Sequence, residues 1–266
     1  MENNNSFVNY NALLDTLFKQ WEKNYSEGFC KDGLMLIPDN PNPDNISYVD
    51  ELWEKSERRV MFLLKDNPDD GHDIRRWLVD HEDCRNLKGG CIGRTGFLPN
   101  IAMMLYGLMI TKKGYRLGYS EVSETKIDEV KKMWNSTPFA LVETKKQAGK
   151  PSVTKEEMES AIRQDNLFLI KEIDILKPNI IVCCDAENTQ FDFITQTYFK
   201  GRDAIIWQYD FPTNKRIKCC LYYYDNDNVV VIQSYHPTRL GKDDWMVYER
   251  VISPFGTLMN NCNLDF

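Results

Sequence analysis

The chain has 266 residues, of which 42% are hydrophobic and 27% are charged, so it is long enough to bury a complete core in one large domain or two small ones. This composition excludes a disordered, collagen-like or coiled-coil protein. No apolar stretch reaches the roughly 18 residues that a membrane-spanning helix needs, and the polar start MENNNSFVNYN is unlike a secretion signal. We therefore expect a cytoplasmic protein with no membrane partner.

The charge balance limits the kind of partner. The chain has 33 basic and 40 acidic residues and a formal net charge of −7. Because phosphate backbones are bound by clustered Lys and Arg side chains, a nucleic-acid contact in this chain has to come from a local basic cluster. Two such clusters follow predicted strands, namely Lys145 with Lys146, and Arg239 with Lys242.

The cysteine and histidine pattern predicts no metal site. The eight cysteines include two adjacent pairs inside apolar runs, which is typical of reduced packing residues, and there is no CxxC motif. A group of possible metal ligands lies early in the chain and comprises His72, His81, Cys84 and Cys91. Its spacing matches no common zinc pattern, so we expect neither a metal nor another cofactor.

The first predicted element is an amphipathic helix, because apolar residues recur at three- and four-residue spacing between positions 7 and 21. A loop rich in Pro, Asn and Asp follows at positions 38–45. We expect residues 1–57 to form a helical and loop extension that packs on a single α/β domain of residues 58–266.

Four short apolar runs predict buried strands at 60–64, 139–142, 179–184 and 229–233. Helices are predicted between them at 94–109 and 154–176. The second helix is opened by a capping box of Thr154 and Glu157, and residues 219–232 have the pattern of a hairpin with its turn at 225–228. Strands that are apolar on both faces and alternate with helices predict a three-layer α/β/α domain with a central, mostly parallel sheet.

The loops that leave the apolar strands are the predicted site, because ligands of an open parallel sheet bind beyond the carboxyl ends of its strands. Asp66 is the first carboxylate after the strand at 60–64, and His236 follows the strand at 229–233. A carboxylate that holds or deprotonates a water and an imidazole that donates to a developing anion suit a hydrolysis with an anionic leaving group.

Five motifs follow one another along the chain. They are the strand end Leu64-Lys65-Asp66-Asn67-Pro68, the helix start Arg94-Thr95-Gly96-Phe97, the strand at 138–146, the junction Leu176-Lys177-Pro178-Asn179-Ile180-Ile181-Val182, and the segment Tyr235-His236-Pro237-Thr238. In this order and spacing, the chain from about residue 58 to residue 255 resembles the uracil-DNA glycosylase superfamily. No single motif is specific, so the resemblance depends on the order and spacing of all of them.

The resemblance implies a domain that extrudes a damaged or mispaired base from DNA and cleaves its N-glycosidic bond without a metal. Asp66 would position the attacking water, and His236 would stabilise the negative charge on the departing base. Asn67, Glu143 and Phe97 are the expected contacts of the base. The expected contacts with DNA are Lys145, Lys146, Arg239 and Leu240. Leu240 would be the wedge that fills the space vacated by the base.

One departure from the family leaves an alternative function open. Glu143 occupies the position where the family commonly has an Asn, and an ionised Glu accepts hydrogen bonds but donates none. The alternative is a catalytically inactive domain that binds a nucleobase or nucleotide in the same pocket, which the net charge of −7 also favours. A third hypothesis is a vestigial pocket with a partner surface at the hairpin residues Tyr222, Tyr223 and Tyr224. We expect a monomer.

Overall fold

The computed structural model of the protein describes residues 8–41, 48–66, 72–87, 96–149, 153–211, 214–238, 245–262 and 264. The strands are β1 Gly33–Met35, β2 Val60–Asp66, β3 Phe139–Lys145, β4 Ile180–Cys184, β5 Ile205–Phe211, β6 Asn214–Tyr224 and β7 Val229–Ser234. The helices are α1 Tyr10–Trp21, α2 Val49–Lys55, α3 Ile74–Asp80, α4 Glu82–Arg85, α5 Phe97–Ile110, α6 Tyr119–Thr125, α7 Ile127–Trp134, α8 Lys155–Leu176, α9 Thr189–Phe193 and α10 Trp245–Asn261.

The strands form one seven-stranded sheet in the order β1-β3-β2-β4-β7-β6-β5. The four central strands, β3, β2, β4 and β7, are parallel, and β1, β6 and β5 pair antiparallel at the two margins. The predicted α/β class with a mostly parallel centre is therefore confirmed. The sheet as a whole is mixed, because β1, β6 and β5 are antiparallel. The predicted hairpin corresponds to β6 and β7, whereas the sequence pattern did not predict β1 or β5.

Helices cover both faces of the sheet, as expected for strands without a polar face. Along β2, Val60 and Phe62 pack with α5, α7 and α10, whereas Met61 and Leu63 pack with α1, α2, α8 and α9. We call these surfaces of the sheet the α5 face and the α8 face. The arrangement is consistent with a three-layer α/β fold.

Helix α8 begins at the predicted capping box. The Glu157 N–H donates to Thr154 Oγ1 at 3.2 Å, and the Thr154 N–H donates to Glu157 Oε2 at 2.9 Å, so two backbone donors of the first turn are satisfied. The helix ends at Leu176, where Lys177 takes a left-handed conformation with φ of 48°. Pro178 then prevents the helix from continuing.

Close packing of α5 on α10 depends on Gly107. A Cβ atom at this position would lie 2.7 Å from both Ile252 Cδ1 and the Tyr248 hydroxyl, closer than real contacts allow. None of the described helices is both long and apolar enough to cross a membrane.

Part of the extension at residues 1–57 joins the sheet itself. Leu34 of β1 pairs with Ala140 of β3, so the extension supplies one edge strand. Trp53 of α2 is fully buried, and its indole N–H donates to the Leu176 carbonyl at 2.8 Å. These contacts fix the extension to both β3 and α8.

Candidate functional site

The strand order of the sheet defines a crevice between β2 and β4. From β2 the chain passes to β3 on one side of β2, and from β3 it crosses back to β4 on the other side. The crossover helices before β3 pack on the α5 face, and α8 packs on the opposite face. In open α/β sheets such a reversal is the place where ligands bind, at the carboxyl ends of the strands.

The two predicted catalytic residues end or follow the strands on either side of β4. Asp66 is the last residue of β2, and its backbone pairs with Lys145. His236 lies two residues beyond the end of β7, which is the strand next to β4. Asn67, Arg239 and Leu240 lie outside the described residues, as does the side chain of Asp66.

His236 Nδ1 has two contacts with Thr238. The backbone N–H of Thr238 donates to His236 Nδ1 at 3.3 Å, and Thr238 Oγ1 lies 2.7 Å from the same nitrogen. With Nδ1 as the acceptor of the backbone N–H, a neutral imidazole would carry its proton on Nε2, whereas the hydroxyl can donate or accept. The Nε2–H tautomer can donate a hydrogen bond to an anion.

The loop that carries His236 is held by α5. The Asn100 side-chain amide donates to the Pro237 carbonyl at 2.7 Å, in a contact that is buried. Phe97, at the start of α5, has its ring centroid 5.8 Å from that of His236. The predicted base contact Phe97 and the predicted catalytic residue His236 are therefore neighbours. Another aromatic side chain, Trp77, lies on α3 with its ring 4.3 Å from that of His81.

A row of side chains crosses the carboxyl ends of the four parallel strands. Glu143 pairs with Leu64, Cys183 pairs with Leu63, and Cys184 pairs with Ser234. Glu143, Leu64, Cys184 and Ser234 therefore follow one another across the sheet. Since side chains alternate along a strand, the members of this row belong to the α5 face, the face that also carries Phe97.

Glu143 is a buried carboxylate in this row. It is 3% exposed, and its backbone N–H donates to Asp32 Oδ2 at 2.6 Å. Burial and then the charge of Glu143 raise the pKa of the Cys30 thiol to about 12. Burial and the same charge also raise the pKa of Cys184 above its usual value. Glu143 and Cys184 lie on the strands on either side of β2.

The structure corrects one of the predicted DNA contacts. Lys146 is 0% exposed, and its ammonium contacts Asp32 Oδ2 at 2.6 Å and Glu172 Oε2 at 2.8 Å. Its ammonium also lies 5.0 Å from the ring centroid of Trp21. Because this cation is enclosed and neutralised within the fold, it has no surface through which to contact a phosphate. Lys145 is half-buried and donates to the Gln147 carbonyl at 2.7 Å.

Internal polar contacts fill the α8 face at the carboxyl end of the sheet. The Thr144 hydroxyl donates to the Leu64 carbonyl at 2.7 Å, and the Gln190 side chain donates to the Thr144 hydroxyl at 2.9 Å. The Asp185 carboxylate accepts from the Glu187 N–H at 2.8 Å. A ligand is therefore more readily accommodated on the α5 face of the crevice, where Glu143 lies.

Sequence reasoning missed two residues of the row and one residue that supports it. Cys184 was interpreted only as packing, and Ser234 and Asn100 were not selected. Ser234 is 0% exposed, and its hydroxyl has no hydrogen-bond partner among the described residues. A position at the end of a predicted strand is the signal that identifies Cys184 and Ser234, but only the register shows that they are adjacent.

The remaining groups that the sequence singled out lie elsewhere. Tyr223 and Tyr224 are 3% and 2% exposed, so they belong to the core rather than to an open partner surface. Cys84 is also buried, and the His81 ring contacts the Trp77 carbonyl at 2.6 Å. No three His, Cys, Asp or Glu side chains in the described part of the chain are grouped as a metal site would require.

Comparison with models of known protein families found no match to this chain. None of the curated proteins is similar to it either.

Proposed function

We propose that the protein is a uracil-DNA glycosylase-like hydrolase that cleaves the N-glycosidic bond of a damaged or mispaired base in DNA. The observation that supports this proposal is the position of the two catalytic candidates relative to the crevice. Asp66 ends β2 and His236 follows β7, and these strands lie on either side of β4. Two strand spacings separate their backbones by about 10 Å, which leaves room for a flat base.

In the proposed reaction, the Asp66 carboxylate holds a water against the sugar carbon C1′. The water oxygen forms a bond to C1′ while the bond from C1′ to the base nitrogen breaks, and the electron pair of that bond leaves with the base. The Nε2–H of neutral His236 donates to the resulting anion, in the manner of an oxyanion hole. The proton lost by the water passes to the Asp66 carboxylate or to solvent.

The neighbours of His236 support this role. Its Nδ1 accepts from Thr238, so the ring is oriented before a substrate arrives. The neighbouring ring of Phe97 provides an apolar wall, which strengthens a hydrogen bond to an anion by excluding water. In this proposal Lys145, Arg239 and Leu240 remain the contacts with DNA, and Lys146 does not.

The proposal is tested by incubating the pure protein with oligonucleotides that each contain one damaged or mispaired base, followed by alkaline cleavage at abasic sites. We expect cleavage of at least one substrate by the wild type. His236→Ala removes the anion donor and should lower the rate about 10²- to 10³-fold. Asp66→Asn should also lower it, whereas Asp203→Asn, a change of the same kind at an exposed position, should not. Absence of abasic sites with every substrate would contradict the proposal.

The second candidate function is a catalytically inactive domain that binds a nucleobase or nucleotide. The specific observation in its favour is the buried Glu143 carboxylate in a protein of net charge −7, since both disfavour a polyanion. Calorimetry with nucleotides and titration with DNA at several salt concentrations distinguish the two functions. Phosphate contacts make DNA affinity fall steeply with salt, whereas a site that reads only the base has a shallow dependence.

A further inference from the structure

Glu143, the acidic residue of the row across the strand ends, restricts which hydrogen-bonding edge a base in the crevice can present to β3. Glu143 is 3% exposed and lies in register with Leu64, two residues before the end of β2. On the α5 face it follows Phe139 and Leu141, which are core residues of that face. A base that enters the crevice on the α5 face would have one of its edges toward β3 and this carboxylate.

A carboxylate and a carboxamide select different edges of a base. An ionised Glu has two oxygen acceptors and no donor, so it pairs best with two adjacent N–H groups. The edge of uracil has a single N–H between two carbonyl oxygens, and one of these oxygens would face a Glu143 oxygen. The corresponding edge of guanine has the N1–H and the N2 amino group side by side.

We infer that Glu143 makes the site specific for a guanine-type base, meaning a purine that keeps both the N1–H and the N2 amino group. This inference rests on the proposed function, because it uses the same crevice, and it narrows the substrate from a damaged base in general to a damaged or mispaired guanine derivative. The two parallel hydrogen bonds to the carboxylate are the basis of the selection.

Binding of single-stranded oligonucleotides tests the inference without requiring a particular lesion. Three oligothymidylates of equal length carry one central deoxyguanosine, deoxyinosine or deoxyuridine, and fluorescence anisotropy gives the Kd of each. We expect the deoxyguanosine oligonucleotide to bind about tenfold more tightly than the deoxyuridine one, as one bidentate base contact allows. Deoxyinosine, which lacks the amino group, should have an intermediate Kd.

Variants of Glu143 separate recognition from folding. Glu143→Gln keeps the size of the side chain but replaces one acceptor by a donor, so the preference for deoxyguanosine should disappear. Glu143→Asn should reverse it in favour of deoxyuridine, a change of order that a purely structural role does not produce. Glu124→Gln, at an exposed position of α6, is the matched control and should keep the wild-type order.

Each remaining outcome decides between the inference and the proposed function. If the wild type binds deoxyuridine as tightly as deoxyguanosine, or if Glu143→Gln keeps the wild-type order, the inference is wrong. Abasic sites on the lesion panel would in that case still support the glycosylase. If the wild type neither binds any of the three oligonucleotides nor cleaves any lesion, both the inference and the proposed function are wrong.

Discussion

Two acidic regions flank the end of β3, and they lie on opposite faces of the sheet. On the α8 face, Asp32 and Glu172 surround the ammonium of Lys146, and all three side chains are 0% exposed. On the α5 face, Glu143 lies in a row with the apolar Leu64 and the thiol of Cys184. The first region joins three segments of the chain, and the second lies beside the crevice.

The difference indicates separate roles for the two faces of one strand. A buried cation between two acidic side chains holds the extension, β3 and α8 together, because removal of Lys146 leaves the Asp32 carboxylate buried without its counter-charge. Asp32 also accepts from the Glu143 N–H at 2.6 Å, so the buried cluster fixes the backbone of the residue that faces the crevice. We therefore assign the cluster of Lys146, Asp32 and Glu172 to stability, whereas recognition of a base by Glu143 is our proposal.

The largest effect is expected for Lys146→Met. This change leaves the Asp32 carboxylate buried without its counter-charge, so the free energy of unfolding should fall by about 3–5 kcal/mol. Urea denaturation followed by circular dichroism measures the loss. Lys145→Met, one residue away with its ammonium on the Gln147 carbonyl, should change the value by about 0.5 kcal/mol or less. Equal effects of the two changes would refute the distinction between them.

The protonation of Glu172 gives a prediction about pH. Burial and the charge of Asp32 raise the pKa of Glu172 well above its usual value, although Lys146 opposes the shift. The folded protein therefore holds a proton on Glu172 that the unfolded chain releases. The stabilisation that comes from this proton is complete below the pKa that Glu172 has in the unfolded chain. It declines as pH rises toward the pKa that Glu172 has in the folded protein. One such group changes the free energy of unfolding by about 1.4 kcal/mol per pH unit in that window.

Glu172→Gln removes the titrating group while keeping its shape. The free energy of unfolding of the variant should therefore not decline in this way as pH rises. Urea denaturation of wild type and variant at several values between about pH 5 and pH 8 gives the difference in slope. The account requires the variant to gain stability relative to the wild type as pH rises. A constant difference across this range would show that Glu172 titrates as in the unfolded chain.

The smallest effect is expected at the crevice, for Thr238→Val. The hydroxyl of Thr238 lies 2.7 Å from His236 Nδ1, whereas the backbone N–H that donates to the same nitrogen is unaffected by the change. Loss of one hydrogen bond of about 1 kcal/mol should lower the rate of base release about fivefold. Unfolding by urea should be nearly unchanged, because the loop is held separately by Asn100. A loss of stability without a loss of rate would place Thr238 among the structural residues.

Local patterns predicted the elements better than they predicted the surroundings of single side chains. Apolar runs identified the four central strands, and the capping box identified the start of α8, because both signals are contained in a few consecutive residues. The burial of Lys146 was not predicted, since Asp32 lies 114 positions from it and Glu172 lies 26. The short edge strand β1 was missed for the same reason, because it is defined by its pairing with β3.

For the site, the chain order of the motifs predicted which strand ends carry functional groups but not which groups are adjacent. His236 and Phe97 were selected separately, and only the fold brings their rings within 5.8 Å. The row from Glu143 to Ser234 depends on the register of four strands, which alternating apolar residues do not specify when both faces are buried.

The central claim is that a base binds at the carboxyl ends of β2 and β7 beside His236. The chain has three histidines, so ¹⁵N NMR of the imidazoles gives a simple spectrum that His236→Asn assigns. We predict the Nε2–H tautomer for His236, and a shift of its Nε2 resonance when an oligonucleotide with the recognised base is added, with His81 unchanged. A His236 signal that stays constant while the oligonucleotide binds would contradict the account.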